Sequence, residues 1–599
     1  MAQLNTSLQR CPIAQQAQQQ PNAIALLKRN ADAPSNHYSY LQLDLAVTQK
    51  QHWLLDNGTQ PGQHLAVLSH DKIELVELLF AALRLGLVLI PINPNFPAIQ
   101  QQRLIERCDA DYLIGGSHAL TVPNRCLRLA PGVAGESKVV LQTSELNFQQ
   151  NQSQQNQSQQ QDQQNQQFIN PAIPLTGLFT SGSTGTPKLV IHSFHNHVAS
   201  AQASRQLIDL HSDDGWGITL PLYHIGGMAI VFRTVLAGAC LIVPTNEPLS
   251  ALLSEPRLTH LSAVSTQLLQ LRQQLELQQR TLSDFTLKTL LLGGSSIPET
   301  LLQWVTQPTG HSVTHSQAYS TTHSTIRSTI RSTIQPLHRR SPLSCFISYG
   351  LTEMASQVVT GPINANAELA QCLSHCQIQL GDDGEILIQG ESLFLGYYRQ
   401  GRLQPSVDEH GWFHSRDLGQ FSCDGGLIVT GRLDNQFISG GENIQPEQIE
   451  AKLRQLSAVS DAIVVPVTDP VYGQRPAAFI VMKKSAKDQN KEQPETNNDR
   501  AASIQPVQAI ALKQSVTDAI DKTLRQQLAG YQLPRLYLQL PEPQLTLKPD
   551  RRQLSQIADG CYQQKLSNAA ASECGADSEA QEITIKAKQL TPAFCEARE

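Results

Sequence analysis

Residues 65–92 constrain the fold of this chain more than any other stretch. Residues 65–68 are an apolar run of strand length, residues 72–84 place apolar side chains at Ile73, Val76, Leu79, Phe80 and Leu83, and residues 87–92 are apolar again. The middle spacing has the period of a helix, and the flanking runs have the length of buried strands. Strand, helix and strand within about thirty residues make a βαβ unit, whose strands run parallel and whose crossover is right-handed. The expected class is therefore α/β. At 599 residues the chain has enough length for two or more domains, each with its own core. Ligands of parallel sheets collect at the carboxyl ends of the strands, so strand ends are where chemistry is to be sought. The same window is interrupted by Glu77 and Arg84 and closed by Pro91, so it fails as a membrane span.

Charge and cysteine content exclude several classes. The formal net charge is −6, which gives nucleic acid no electrostatic footprint. The 11 cysteines include no C-x-x-C arrangement, so neither a zinc site nor a disulfide framework is expected and a reducing compartment fits. Residues 1–20 are glutamine-rich, without a basic segment leading into an apolar run, so no secretory signal is read and the protein is expected in the cytoplasm. Residues 148–167 collapse into Gln, Asn and Ser, and residues 310–340 contain a thrice-repeated Ser-Thr-Ile-Arg-like unit. The first reads as a disordered insertion and the second as an expanded surface loop. Residues 483–503 and the chain after 565 read as further loop and tail.

An extended apolar segment, residues 175–179, runs into Ser181, Gly182, Ser183, Thr184, Gly185, Thr186, Pro187 and Lys188. Glycines let backbone N–H groups approach an anion, and hydroxyls and an ammonium add donors, so this composition suits a phosphate cradle. A flexible Gly/Ser linker uses the same residues. The Walker loop ends in Gly-Lys-Ser/Thr, whereas here Pro187 precedes the lysine and Leu189 follows it, which disfavours a P-loop NTPase. Residues 221–227 lead into an apolar segment that carries one charge, Arg233. That guanidinium must either snorkel to water or meet an anion. Residues 290–297, with Gly293 and Gly294, and residues 348–354 both read as strands running into turns.

The loop 181–188, Tyr349-Gly350-Leu351-Thr352-Glu353, Trp412-Phe413-His414-Ser415-Arg416-Asp417, Gly431-Arg432-Leu433-Asp434 and a late lysine, Lys548, stand in the order used by the adenylate-forming acyl-CoA ligase superfamily. The chain resembles that superfamily over roughly residues 20–560 apart from the polar insertions, and five ordered motifs make a specific signal. The resemblance implies a large N-terminal domain of stacked mixed α/β subdomains over 1–433, a small mobile α+β domain over 434–565 and a tail over 566–599. It implies an enzyme that joins a carboxylate to the α-phosphorus of ATP, releases pyrophosphate and then transfers the acyl group to coenzyme A, with Mg²⁺ on the phosphates.

Carried over residue by residue, the resemblance gives Lys188 and the loop residues Ser181 to Thr186 to the β- and γ-phosphates. It gives Glu353 to Mg²⁺, Thr352 to the α-phosphate, Tyr349 and Gly350 to adenine, Gly294 to the nucleotide, and Asp417 with Arg432 to the ribose. Read alone, Tyr349 suits core packing, and Asp417 suits a helix cap or a surface turn. Lys548 takes the adenylation role, although Leu547 and Pro549 replace the glycine and aliphatic residue that flank it in many relatives. A surface lysine near Arg551 and Arg552 is its plain alternative. Asp434 takes the hinge. Three stretches, 221–227 with Arg233, 291–298 and 439–447, resemble the branch acting on 2-succinylbenzoate in menaquinone biosynthesis. That branch implies His224 beside the carboxylate being activated and Arg233 for the second, ring-borne carboxylate. A fatty or benzoic acid substrate, and a non-catalytic nucleotide-binding scaffold, remain the competing expectations. A homo-oligomer stays open, and His192, His195 and His197 offer metal binding only as a minor alternative.

Overall fold

The structure, a computed structural model, describes residues 8–29, 35–116, 127–129, 168–180, 187–245, 247–294, 297, 299–306, 343–363, 371–483, 510–540 and 551–573. Residues 181–186 of the glycine-rich loop, Lys548 and the polar stretches 148–167 and 310–340 lie outside the described residues. The chain divides into two compact units. The first comprises Met1–Gln379, Leu387–His414 and Phe421–Ile428, the second Leu380–Ile386, Ser415–Gln420 and Val429–Glu599. A single cut at 433/434 misses this interleaving. Its cause is local: the Arg416 N–H donates to Glu385 Oε1 at 2.8 Å and the Gly419 N–H to the Gly384 carbonyl at 2.9 Å.

In the first unit the βαβ reading holds to within about a residue at each boundary. Strand His64–Leu68 pairs in parallel with Val88–Pro91, in the register His64↔Val88, and helix Lys72–Leu85 connects them. Asp71 caps that helix by accepting from the Ile73 and Glu74 N–H groups, and Gly86 ends it at φ 67°, a conformation that glycine adopts without cost. Arg84, charged inside an apolar helix, is stabilised by Asp44 and by a 2.9 Å bond to Thr48 Oγ1. These strands belong to an eight-stranded mixed sheet that continues through Pro174–Thr180, Lys188–Ser193 and Gly396–Arg399. A nine-stranded sheet has a parallel centre, His260–Ala263, Thr289–Gly293 and Ser344–Leu351, followed by the antiparallel Ser356–Pro362 and Gln371–Cys372.

In the second unit, strand Val459–Asp469 pairs antiparallel with Gly473–Met482, which pairs in parallel with Leu536–Gln539. Alternate side chains of Val459–Asp469 face opposite ways. Ala462 and Val464 pack with Ile449, Leu453, Ile520 and Leu524, while Ile463, Val465 and Val467 pack with Leu554, Ala558 and Tyr562. Helices therefore cover both faces of the sheet. The second cover is helix Arg551–Glu573, which carries helix eight residues into the stretch expected to be tail. Leu554, Ala558 and Tyr562 recur at a helical spacing, and their burial explains why the helix forms.

Candidate active site

Lys188 begins the strand that returns from the glycine-rich loop, paired directly opposite Thr180. Its ammonium lies 5.0 Å from the centroid of the Tyr397 ring, a cation–π distance. The Tyr397 hydroxyl donates to Glu353 Oε1 at 2.7 Å. Strand pairing explains the meeting, because Gly396–Arg399 runs antiparallel to Lys188–Ser193 with Val190 opposite Tyr397. One phenol thus touches both the candidate phosphate lysine and the candidate magnesium carboxylate.

Glu353 sits in a 3₁₀ turn, Thr352–Met354, at the end of strand Ser344–Leu351. Gly293 lies opposite Ser348 on the parallel neighbour, so Gly294, Tyr349, Gly350, Thr352 and Glu353 gather along two adjacent strand ends. The backbone is tight there. A Cβ on Gly350 would lie 1.7 Å from the Ser356 carbonyl oxygen, and Gly294, Ala355 and Ser356 have φ of 84°, 48° and 114°. The turn is anchored from behind by His192, whose Nε2–H donates to the Thr352 carbonyl at 2.7 Å. Burial pushes His192 down to about 4, so the ring is neutral and its buried Nδ1 has no hydrogen-bond partner. His197 stacks on Phe232 at 4.2 Å and bonds Thr176 Oγ1, while His195 lies 3.7 Å from Glu391. Three different tasks occupy the three histidines, and among the described residues no group of three His, Cys, Asp or Glu could hold a metal ion.

His224 and Arg233 sit on one element. His224 is the exposed N-cap of helix Ile225–Ala237, where its carbonyl accepts from the Gly227 and Met228 N–H groups. A Cβ on Gly227 would meet the Pro221 carbonyl oxygen at 2.2 Å, so the tight entry to this helix needs glycine. Nine residues on, Arg233 is 5% exposed. The separation is about 13 Å along the axis and half a turn around it, so the structure does not bring these two groups together. Arg233 Nη2 donates to Ser356 Oγ at 3.2 Å and the guanidinium lies 5.7 Å from the Trp216 ring. Its Nε has no partner, and among the described residues no carboxylate is within ion-pair distance. Burial pulls it down to about 9, which leaves it charged at neutral pH. The snorkelling alternative fails, because the head group does not reach water.

In the second unit, Arg432 Nη1 pairs with Asp417 Oδ1 at 3.0 Å and its Nη2 lies 3.5 Å from Asp434 Oδ2. Arg416 Nε pairs with the other oxygen of Asp434 at 3.2 Å. The cluster places two acids around one arginine, with Asp417 on strand Phe413–Phe421 and Arg432 ending strand Leu427–Arg432.

The model of the AMP-binding enzyme family matches residues 13–398, and that of its C-terminal domain matches residues 448–542. The chain belongs to the AMP-binding enzyme family. The 2-succinylbenzoate–CoA ligase of Salmonella typhimurium is 32% identical to this AMP-binding enzyme, covering 73% of the chain and 78% of the relative. The ligase of the same name from Bacillus velezensis is 27% identical over 79% and 88%. The solved structure of o-succinylbenzoate CoA synthetase from Bacillus subtilis in complex with the acyl-adenylate intermediate OSB-AMP has a TM-score of 0.65 at 23% identity. It covers 89% of this chain and 95% of its own. The Bacillus subtilis synthetase with ATP and magnesium ion gives 0.63 at 23% identity, covering 89% and 96%. At those identities the structural likeness is one of fold.

Two residues of this AMP-binding enzyme escaped the sequence reading. Tyr397 follows Gly396 in a plain aromatic pair, Tyr397-Tyr398, which carries no signal of its own. His192 stands directly before the capping serine of helix Phe194–Arg205, where its spacing to His195 and His197 drew the eye toward metal binding. The Tyr397–Lys188 and His192–Thr352 contacts join segments about 160 or more residues apart, and the Tyr397–Glu353 contact joins elements of two different sheets, none of which local periodicity contains.

Proposed function

We propose that this AMP-binding enzyme ligates 2-succinylbenzoate to coenzyme A in the cytoplasm, driven by ATP and passing through an acyl-adenylate, as a step of menaquinone biosynthesis. The observation that carries the choice of acid is Arg233, a buried guanidinium with no carboxylate partner among the described residues. A buried charge of that kind is costly unless paired, and an acid with two carboxylates supplies the partner. A fatty or benzoic acid does not. The names of the relatives agree with this reading.

The chemistry first brings two anions together, a carboxylate and the polyphosphate of ATP, so positioning and charge neutralisation dominate. Lys188 and the loop hydroxyls Ser181, Ser183, Thr184 and Thr186 hold the β- and γ-phosphates. Thr352 orients the α-phosphate, and Tyr349, Gly350 and Gly294 seat the base. Asp417 accepts from the ribose hydroxyls beside Arg432. Lys548 donates at the carboxylate and α-phosphate, where the acyl oxygen bonds to phosphorus and pyrophosphate leaves. The coenzyme A thiol sulfur then bonds to the acyl carbon and AMP departs.

Glu353 fits a magnesium site: a hard oxygen donor, already oriented by Tyr397, is the kind of single carboxylate that magnesium uses alongside phosphates and water. When bound, magnesium neutralises charge on the phosphates. The test is ATP–pyrophosphate exchange, expected only when 2-succinylbenzoate is present. Exchange supported instead by benzoate or a fatty acid would overturn the substrate, and absence of exchange with every acid tried would overturn catalysis.

A further inference from the structure

Cys372 and Cys376 flank a three-residue turn between strand Gln371–Cys372 and strand Cys376–Leu380, and their sulfurs are 3.3 Å apart. The pair is well held. Cys376 is buried, with its Sγ 3.4 Å from the carbonyl oxygens of Val358 and Leu373, and Cys372 is half-buried with its Sγ 3.3 Å from the Cys376 carbonyl oxygen. A disulfide needs the sulfurs to close by roughly 1.3 Å, to the usual bond length near 2.05 Å. The asymmetry of the pair suits attack from one side. Hydrogen bonding from Cys376 draws the Cys372 thiol down, while the same bond and burial push Cys376 up. The more acidic thiol is thus the more accessible one, the arrangement in which a thiolate meets an oxidant first.

We propose that Cys372 and Cys376 are an oxidative modification site, a dithiol that hydroperoxides convert into a reversible intramolecular disulfide. The Cys372 thiolate attacks one peroxide oxygen, forming an S–O bond as the O–O bond breaks and hydroxide leaves. The Cys376 sulfur, losing its proton, then attacks the Cys372 sulfur, forming the S–S bond as the S–O bond breaks and the second hydroxide leaves. Two thiols give up two electrons, and one hydrogen peroxide becomes two waters. In a reducing compartment such bridges are transient and serve sensing.

The turn has a place to transmit the change. His375, between the two cysteines, is buried, and burial together with the nearby charge of Arg233 holds it down to about 4. Its carbonyl accepts from the Glu391 N–H at 2.9 Å. Drawing the sulfurs together shortens the turn and moves His375 against the Arg233 region. The bridge itself does not depend on which acid binds there, while its effect on affinity rests on the assignment of Arg233 made above.

The full-length protein is treated with hydrogen peroxide, quenched, alkylated with N-ethylmaleimide, digested and weighed. The peptide spanning Cys372 and Cys376 is expected two hydrogens lighter and unlabelled, to regain two labels after dithiothreitol, and to lose the bridge in C372S. Two alkylated cysteines after peroxide, or a bridge to another cysteine, would overturn the proposal. The bridged protein is expected to show a several-fold higher KM for 2-succinylbenzoate, reversed on reduction and absent in C372S. An unchanged KM would overturn the link to Arg233. The mass result stands even if no acid supports exchange, so failure of the substrate assignment and failure of the dithiol are told apart.

Discussion

At the scale of single residues, charge and burial decide what can be predicted. Arg233 is held by one serine hydroxyl and an aromatic face rather than by a carboxylate, so its charge is available to a ligand. Hydrogen bonds to charged groups contribute about 1.5–3 kcal/mol, so Arg233→Ala is expected to raise the KM for 2-succinylbenzoate by roughly 10- to 100-fold. The KM for ATP should stay within about twofold; steady-state kinetics with each substrate varied in turn measures both, and equal rises would indicate damaged folding instead. His192 makes a prediction about acid. Its ring is held neutral in the fold, down at about 4, whereas an unfolded imidazole titrates near 6.5. Its contribution is therefore complete above about 6.5 and is lost as pH falls toward 4, because protons then bind the unfolded chain more tightly. The loss is about 3 kcal/mol once both values are passed. Urea midpoints should fall between pH 7 and pH 4.5, and His192→Asn should flatten that slope while lowering the midpoint at pH 7.

At the scale of elements, the strand-end turn that carries Thr352 and Glu353 depends on a backbone contact. The register between Ser344–Leu351 and Ser356–Pro362 shifts between Tyr349 and Gly350, where the bulge brings the Ser356 carbonyl against Gly350. Gly350→Ala must force that backbone apart, since a carbonyl cannot rotate away as a side chain tip can. A destabilisation of about 2 kcal/mol or more is expected, read as a lower urea midpoint in the absence of any nucleotide. An unaltered midpoint with weakened ATP binding would show that this glycine serves the ligand alone. Elements like this mark what the sequence could and could not show. The βαβ unit was legible from Ile73, Val76, Leu79 and Phe80, because each sits on the face that local periodicity specifies. Family membership was legible from five spaced motifs, and the family match bears it out. The Tyr397–Glu353 and His192–Thr352 contacts were not, because they arise where elements of two different sheets pack together. Helix Arg551–Glu573 outran its expected end at 565 because the residues just beyond, Ser567 and Asn568 among them, carry no apolar period of their own, while Tyr562 one turn earlier is buried and bonded to Asp469 Oδ2 at 2.7 Å.

At the scale of the whole molecule, the proposal is that two half-reactions at one site use two arrangements of the smaller unit, with a hinge that absorbs the difference in a few backbone angles. Asp434 is the residue proposed for it. It lies in the short turn Leu433–Asn435, between strands Leu427–Arg432 and Phe437–Ser439, at the kind of element end where hinges occur. Its side chain also meets Arg416 and Arg432, so backbone and side-chain roles must be separated. Asp434→Pro restricts φ near −65° and removes the N–H. Asp434→Asn keeps the backbone free and weakens only the ion pairs, which at half-exposed arginines contribute about 1 kcal/mol or less. If the hinge reading holds, Asp434→Pro slows one half-reaction at least tenfold more than the other, with pyrophosphate release and thioester formation measured separately. Asp434→Asn should leave their ratio within about threefold of the original enzyme. Equal loss of both half-reactions in the proline variant would place the pivot elsewhere. A skewed ratio in the asparagine variant alone would move the role from the backbone to the carboxylate and its two arginines.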